Sequence, residues 1–135
     1  MEIIQLEKDI KVFYITAVSF PDGVLASHQQ LHAMVPYTSS RRYFGISRPE
    51  NGVVIYKAAA EELQPGEADQ LHCDAMLIKK GKYISAVIPD FMNDIPAIAR
   101  TFQHLLAQPG IDHQGYCVEE YFDGKDMRCM VRLAD

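Results

Sequence analysis

What the chain lacks narrows its function first. No apolar stretch approaches the ~20 residues that cross a bilayer, and no run of lysine or arginine exceeds two (Arg41-Arg42, Lys79-Lys80). With 13 basic against 18 acidic residues the net charge is −5, which argues against the basic face that nucleic acid requires. Met1 to Lys8 has neither the basic nor the apolar region of a signal peptide. Cys73, Cys117 and Cys129 form an odd set at unrelated spacings, which fits reduced thiols. There is no phosphate loop, dinucleotide fingerprint or Gly-x-Ser-x-Gly elbow. Together these predict a cytoplasmic protein that contacts neither membrane nor DNA directly and needs no cofactor.

What is present is ordinary globular composition, 48% hydrophobic and 23% charged over 135 residues, enough for one domain with a real core. Lys11–Phe20 reads as a strand ended by Pro21-Asp22-Gly23, and Val24–Val35 as a helix with apolar residues at 24, 25, 31, 34 and 35. Arg41–Ser47 and Val53–Ala60 read as strands joined through Arg48-Pro49-Glu50-Asn51-Gly52. Leu71–Ile78 and Lys82–Ile88 read as a second strand pair turning at Lys79-Lys80-Gly81. Asp94 is placed to cap a helix over Ile95–Ala107, with Pro96 in its first turn. Two last strands follow, Tyr116–Phe122 and Met127–Leu133.

This order predicts an α+β fold: duplicated βαββ units, about 9–63 and 70–135, in one domain over 1–135. They would form one curved antiparallel sheet with both helices on one face and an open ligand groove on the other. A linker falls near Gln64-Pro65-Gly66.

The final hairpin is the most informative segment. Cys117-Val118-Glu119-Glu120-Tyr121-Phe122 sets two carboxylates inside an apolar strand, before the hairpin signal Asp123-Gly124. A two-residue turn pairs Phe122 with Lys125. Alternation then puts Cys117, Glu119 and Tyr121 on one face. Tyr116, Val118, Glu120 and Phe122 join Met127, Cys129, Val131 and Leu133 under the helices. In that register Cys117 and Cys129 lie on opposite faces and do not cross-link. Arg128 stands directly opposite Glu119, so a plain cross-strand ion pair competes with a functional reading. His28 and His32 are spaced i, i+4, but no third ligand is apparent, and they read as ordinary surface or core-edge histidines.

The chain resembles the GyrI-like (gyrase-inhibitor-like) small-molecule-binding domain, which also serves as effector-binding domain in AraC-type and multidrug-responsive regulators. The resemblance rests on Phe20-Pro21-Asp22-Gly23, Tyr43-Phe44-Gly45-Ile46-Ser47, Tyr56-Lys57-Ala58-Ala59-Ala60, Ile78 to Tyr83 with Gly81, Phe102 with Leu105, and Glu119-Glu120-Tyr121.

It implies a pseudo-twofold βαββ fold in which the glutamate of Glu-x-Tyr, here Glu119, binds cationic, aromatic, amphipathic molecules. Glu-Glu-Tyr replaces the more usual Glu-apolar-Tyr, and Glu120 is read as a structural residue near an edge. Tyr121, Tyr43, Tyr83 and Tyr56 are the further candidates for the groove. A ring–cation contact contributes roughly 0.5–2 kcal/mol. A charge pair at 4 Å adds about 4 kcal/mol at an effective dielectric near 20, and micromolar binding needs about −8 kcal/mol. The chain has no room for the regulators' helix-turn-helix, so the implied role is a stand-alone module for sequestration or sensing. The resemblance also admits a hydrolase of reactive genotoxins with Glu119 as general base, a protein-binding inhibitor, and a homodimer or other protein partner.

Overall fold

The computed structural model describes residues 1–135. Eight antiparallel strands form one curled half-barrel sheet: β1 (Glu2–Leu6), β2 (Ile10–Thr16), β3 (Tyr43–Glu50), β4 (Val53–Glu61), β5 (Asp74–Ile78), β6 (Gly81–Ile88), β7 (Cys117–Phe122) and β8 (Asp126–Arg132). The helices are α1 (Val24–Met34), the one-turn α2 (Glu67–Gln70) and α3 (Pro96–Leu106), with a 3-10 turn at Phe91–Asn93. The fold is therefore α+β. No helix is long and apolar enough to cross a membrane.

Strand order is β1-β6-β8-β7-β3-β4-β2-β5. Only Glu7 to Asp9 connect β1 to β2, and only Lys79-Lys80 connect β5 to β6, although each link joins opposite ends of that order. Links so short require the sheet to curl until its ends approach. The inner, concave face then fills itself. Ile10, Val12, Phe44, Ile46, Ala59, Ile78, Tyr83, Val118 and Met130 form one buried cluster, supported by Ile4 and Leu6.

The helices lie on the outer face. Leu31 and Val35 of the α1 segment pack on Phe13, Tyr56, Ala58 and Ala60, and Leu105 of α3 packs on Ile88, Met127, Cys129 and Val131. α1 thus covers β2 and β4, and α3 covers β6 and β8. The central β3–β7 pair is left between them.

Several expectations change at the ladder. Leu71–Ile78 and Lys82–Ile88 are not a hairpin: β5 pairs β2, while β6 pairs β1 and β8. The β3–β4 turn is only Asn51-Gly52, both at positive φ, and β3 runs on through Pro49. Proline is tolerated there because the β7 ladder ends at Ser47, so no neighbour needs its missing N–H. Asp94 does not cap α3 through its side chain, which instead meets Arg100 at 3.1 Å.

The decisive change is in the last hairpin. Asp123 and Gly124 both adopt positive φ, and the Lys125 N–H donates to Phe122 O at 3.3 Å. The ladder nevertheless resumes at Phe122↔Asp126, not Phe122↔Lys125. Lys125 is an extra residue because its carbonyl accepts the Phe91 N–H at 3.1 Å, while the Asp126 carboxylate accepts the Asp90 N–H at 3.0 Å. The turn before α3 thus holds the hairpin end open by one residue.

A one-residue slip reverses every facing relation between two strands. Glu119 pairs with Cys129 and Glu120 with Arg128. The odd residues of β7 share a face with Met127, Cys129 and Val131, so Glu119 lies on the helix-bearing face, not the uncovered one. Arg128 is Glu120's partner, at 3.7 Å. That pair sits on the concave face of a central strand, not near an edge. Cys117 and Cys129 share a face, and both thiols are free.

Deleting Lys125 removes the bulge and forces the two-residue register. Urea denaturation of that variant is expected to show a loss above about 3 kcal/mol or no cooperative fold, whereas Lys125→Ala stays within about 0.5 kcal/mol of wild type.

Candidate functional site

The site lies on the β3–β7 pair between α1 and α3. Gly45 of β3 sits opposite Glu119 of β7 on one side and Ala58 of β4 on the other. A glycine here leaves the outer face without a side chain, and two neighbours fill the space. A Cβ at Gly45 would overlap both Tyr56 Oη and Glu119 Oε1. Gly45 thus lets Tyr56 reach across β3 to the β7 carboxylate.

Glu119 Oε1 accepts from Tyr56 Oη at 2.9 Å and from Tyr121 Oη at 2.5 Å. The two hydroxyls are 3.0 Å apart. Above them His28 Nε2 on α1 lies 2.7 Å from Tyr56 Oη and 3.2 Å from Tyr121 Oη. With both phenolic protons directed at the carboxylate, the hydroxyl oxygens are left as acceptors. His28 then has to carry its proton on Nε2.

No cation neutralises this carboxylate: none of the ion pairs includes Glu119. It is only 9% exposed. Burial raises its pKa, and the tyrosine hydrogen bonds offset part of that rise. Folding therefore favours its proton: this contribution is full below the unfolded value and is lost as pH rises through the folded one. Burial and the Glu119 charge push Tyr56 and Tyr121 upward, which keeps both phenols protonated donors. Burial, then the nearby His32, lowers His28 to about 4. Its share of stability is present above about 6.5 and is lost as pH falls towards 4.

Aromatic rings flank the cluster on both sides. Phe20 stacks on Tyr56 at 6.0 Å and is 46% exposed. Phe91 meets Tyr121 at 5.5 Å. Leu25, three residues before His28, and Met92, next to Phe91, are exposed.

The structure therefore brings together Glu119, Tyr121 and Tyr56 from the sequence-derived set. Tyr43, opposite Tyr121, shares the face, but its hydroxyl accepts the Thr38 N–H at 2.9 Å and its ring stacks on Tyr37. It buttresses the site without reaching the carboxylate. Tyr83 lies on the concave face, donating to Lys79 O at 2.6 Å. His28, Gly45, Phe20 and Phe91 join the site although sequence reasoning gave them no role there. His28 was detectable, because positions 24, 28, 31 and 35 form one helix stripe facing the sheet. No group of histidine, cysteine and carboxylate side chains is arranged to hold a metal ion.

Gly45→Ala is expected to cost about 1–3 kcal/mol by overpacking and to break the Tyr56–Glu119 bond. In urea denaturation, Tyr56→Phe should cost clearly less in the Gly45→Ala background than in wild type, since both changes act on one hydroxyl.

No family model matches the chain, and no curated protein matches it in sequence. Solved structures do match in fold. An integron cassette protein from the mobile metagenome of Vibrio cholerae, VCH_CASS2, superposes with a TM-score of 0.73 at 12% identity, over 98% of this chain and 95% of that one. SAV2435 bound to tetraphenylphosphonium gives 0.64 at 13% identity, over 98% and 93%. A putative bacterial transcription regulation protein from Staphylococcus aureus MU50 gives 0.62 at 12% identity, over 99% and 97%. At these identities the likeness is one of fold, and one of the structures that share it holds an organic cation.

Proposed function

We propose that this protein binds amphipathic, delocalised organic cations at Glu119, between α1 and α3, as a GyrI-like multidrug-type binding domain built from two βαββ units. The observation that carries this reading is a buried carboxylate held by neutral donors only. Such a group, once ionised, carries an uncompensated charge in a low-dielectric setting, where a cation gains far more than at the surface. A compact, strongly hydrated ammonium would lose its water on entry. A delocalised cation carries less hydration and stacks on rings, which the Phe20–Tyr56 and Tyr121–Phe91 pairs provide.

The palindromic strand order about β7 and β3 is what two βαββ units would produce. The cation in the SAV2435 structure supports the reading by analogy of fold. Binding also requires the aromatic layer over Glu119 to part, because Tyr56 is only 2% exposed. Such adjustment suits breadth of ligand more than tight shape selection.

Tetraphenylphosphonium should raise the melting temperature of the wild-type protein, with Kd near the micromolar range. Glu119→Gln should weaken it by about 2 kcal/mol, roughly thirtyfold, without loss of fold. Because Glu119 starts with a raised pKa, binding a cation should release protons and tighten as pH rises through that value. Calorimetry in two buffers of different ionisation enthalpy checks the release. Unchanged affinity in Glu119→Gln would sink the proposal.

A further inference from the structure

The concave face holds a cavity of about 460 Å³, on the side of the sheet opposite Glu119. Its apolar floor includes Ile46, Met76 and Val118, and its rim carries Arg48, Lys79 and Arg132 against a single carboxylate, Asp112. In a chain of net charge −5, this is a local reversal of sign. We propose that this cavity is a second ligand site, for small organic anions with an apolar or aromatic body, such as aryl sulfonates or carboxylates.

The three cations are not equivalent. Arg132 is committed to structure: Nε donates to Lys80 O at 3.0 Å, and its other nitrogens meet Asp135 at 3.2 Å and Asp112 at 4.0 Å. Arg48 and Lys79 enter no ion pair. The Arg48 guanidinium lies 4.2 Å from the Tyr116 ring centroid and donates one hydrogen bond, from Nη1 to Gln114 O at 3.0 Å. Its remaining N–H groups have no protein acceptor. A guanidinium held on a ring with open donors is pre-organised for a carboxylate or sulfonate. The Lys57 ammonium, 5.5 Å from the same ring, adds to the positive field.

The rim is also built before any ligand arrives. The Asp112 N–H donates to Arg132 O at 2.9 Å, and the Gln114 N–H to the Asp112 carboxylate at 2.9 Å. Ile111 bridges Leu133. These bonds fix the loop that carries Tyr116. The volume falls in the range of small-molecule sites, with an apolar floor for the body and two free cations at the mouth for the head.

The probe is 2-naphthalenesulfonate, titrated into the full chain by calorimetry, with 2-naphthyltrimethylammonium as the oppositely charged body. The sulfonate should bind with Kd below about 1 mM. Arg48→Gln/Lys79→Gln should weaken it at least about tenfold while retaining the wild-type circular dichroism and melting curve. Glu119→Gln should not weaken it, which separates this site from the cation site. The proposal is overturned if the wild-type protein does not bind the sulfonate, if the double variant binds it equally well, or if Glu119→Gln abolishes it.

Discussion

A carboxylate buried without a cation sets the terms for this structure. An ionised Glu119 in an apolar layer is costly unless donors are placed to meet it. Here two phenols meet one oxygen, and a histidine fixed as the Nε2–H tautomer sits over the phenols. The participants come from three elements, α1, β4 and β7. β3 contributes by absence, since only glycine at position 45 leaves the crossing open. The cluster thus ties the first half of the chain to the second through hydrogen bonds that no single hairpin could supply.

That geometry depends in turn on one residue in a turn. Asp123-Gly124 correctly announces the hairpin, and positive φ at both positions agrees with it. The sequence pattern of β7 and β8 alone does not distinguish a two-residue from a three-residue connection, because β7 carries one glutamate among apolar residues on each face, so either face can join the apolar Met127, Cys129 and Val131 side of β8. The arbiter is Lys125 O, drawn away by the Phe91 N–H from a segment some thirty residues earlier. A tertiary contact therefore decides which side of the sheet receives Glu119. Arg128, the residue that most threatened a functional reading, is for the same reason the partner of Glu120.

Other parts were legible in proportion to how local their causes are. α1 was readable from apolar spacing, α3 from Pro96 in its first turn, and the α+β class from the alternation of elements. The pairing of β5 with β2 was not, because Lys79-Lys80-Gly81 looks like a hairpin turn until sheet closure is considered. β1 was overlooked because Glu2–Leu6 has only five residues, and its pairing with β6 is set by a closure no short window encodes. At the site, glutamate and tyrosine were visible as chemistry out of place in a strand. Gly45 was not, since it acts by lacking a side chain; His28 could be placed on the sheet-facing stripe of α1, but its partners lie on other elements.

The alternation that separates Glu119 from Val118 also gives the sheet two chemically opposite faces. One side presents a desolvated carboxylate beneath aromatic rings. The other presents Arg48 and Lys79 over an apolar floor. The two sites are separated by little more than the sheet itself, on the order of 10 Å. At an effective dielectric near 20, unit charges at that distance interact by about 1–2 kcal/mol. A cation held at Glu119 and an anion held beside Arg48 would therefore favour one another through the sheet, without any change in backbone, and the coupling would be equal in both directions. Each of the two ligands would also neutralise the charge that its own face leaves uncompensated. The same strand periodicity that buries the core is sufficient to link the two sites.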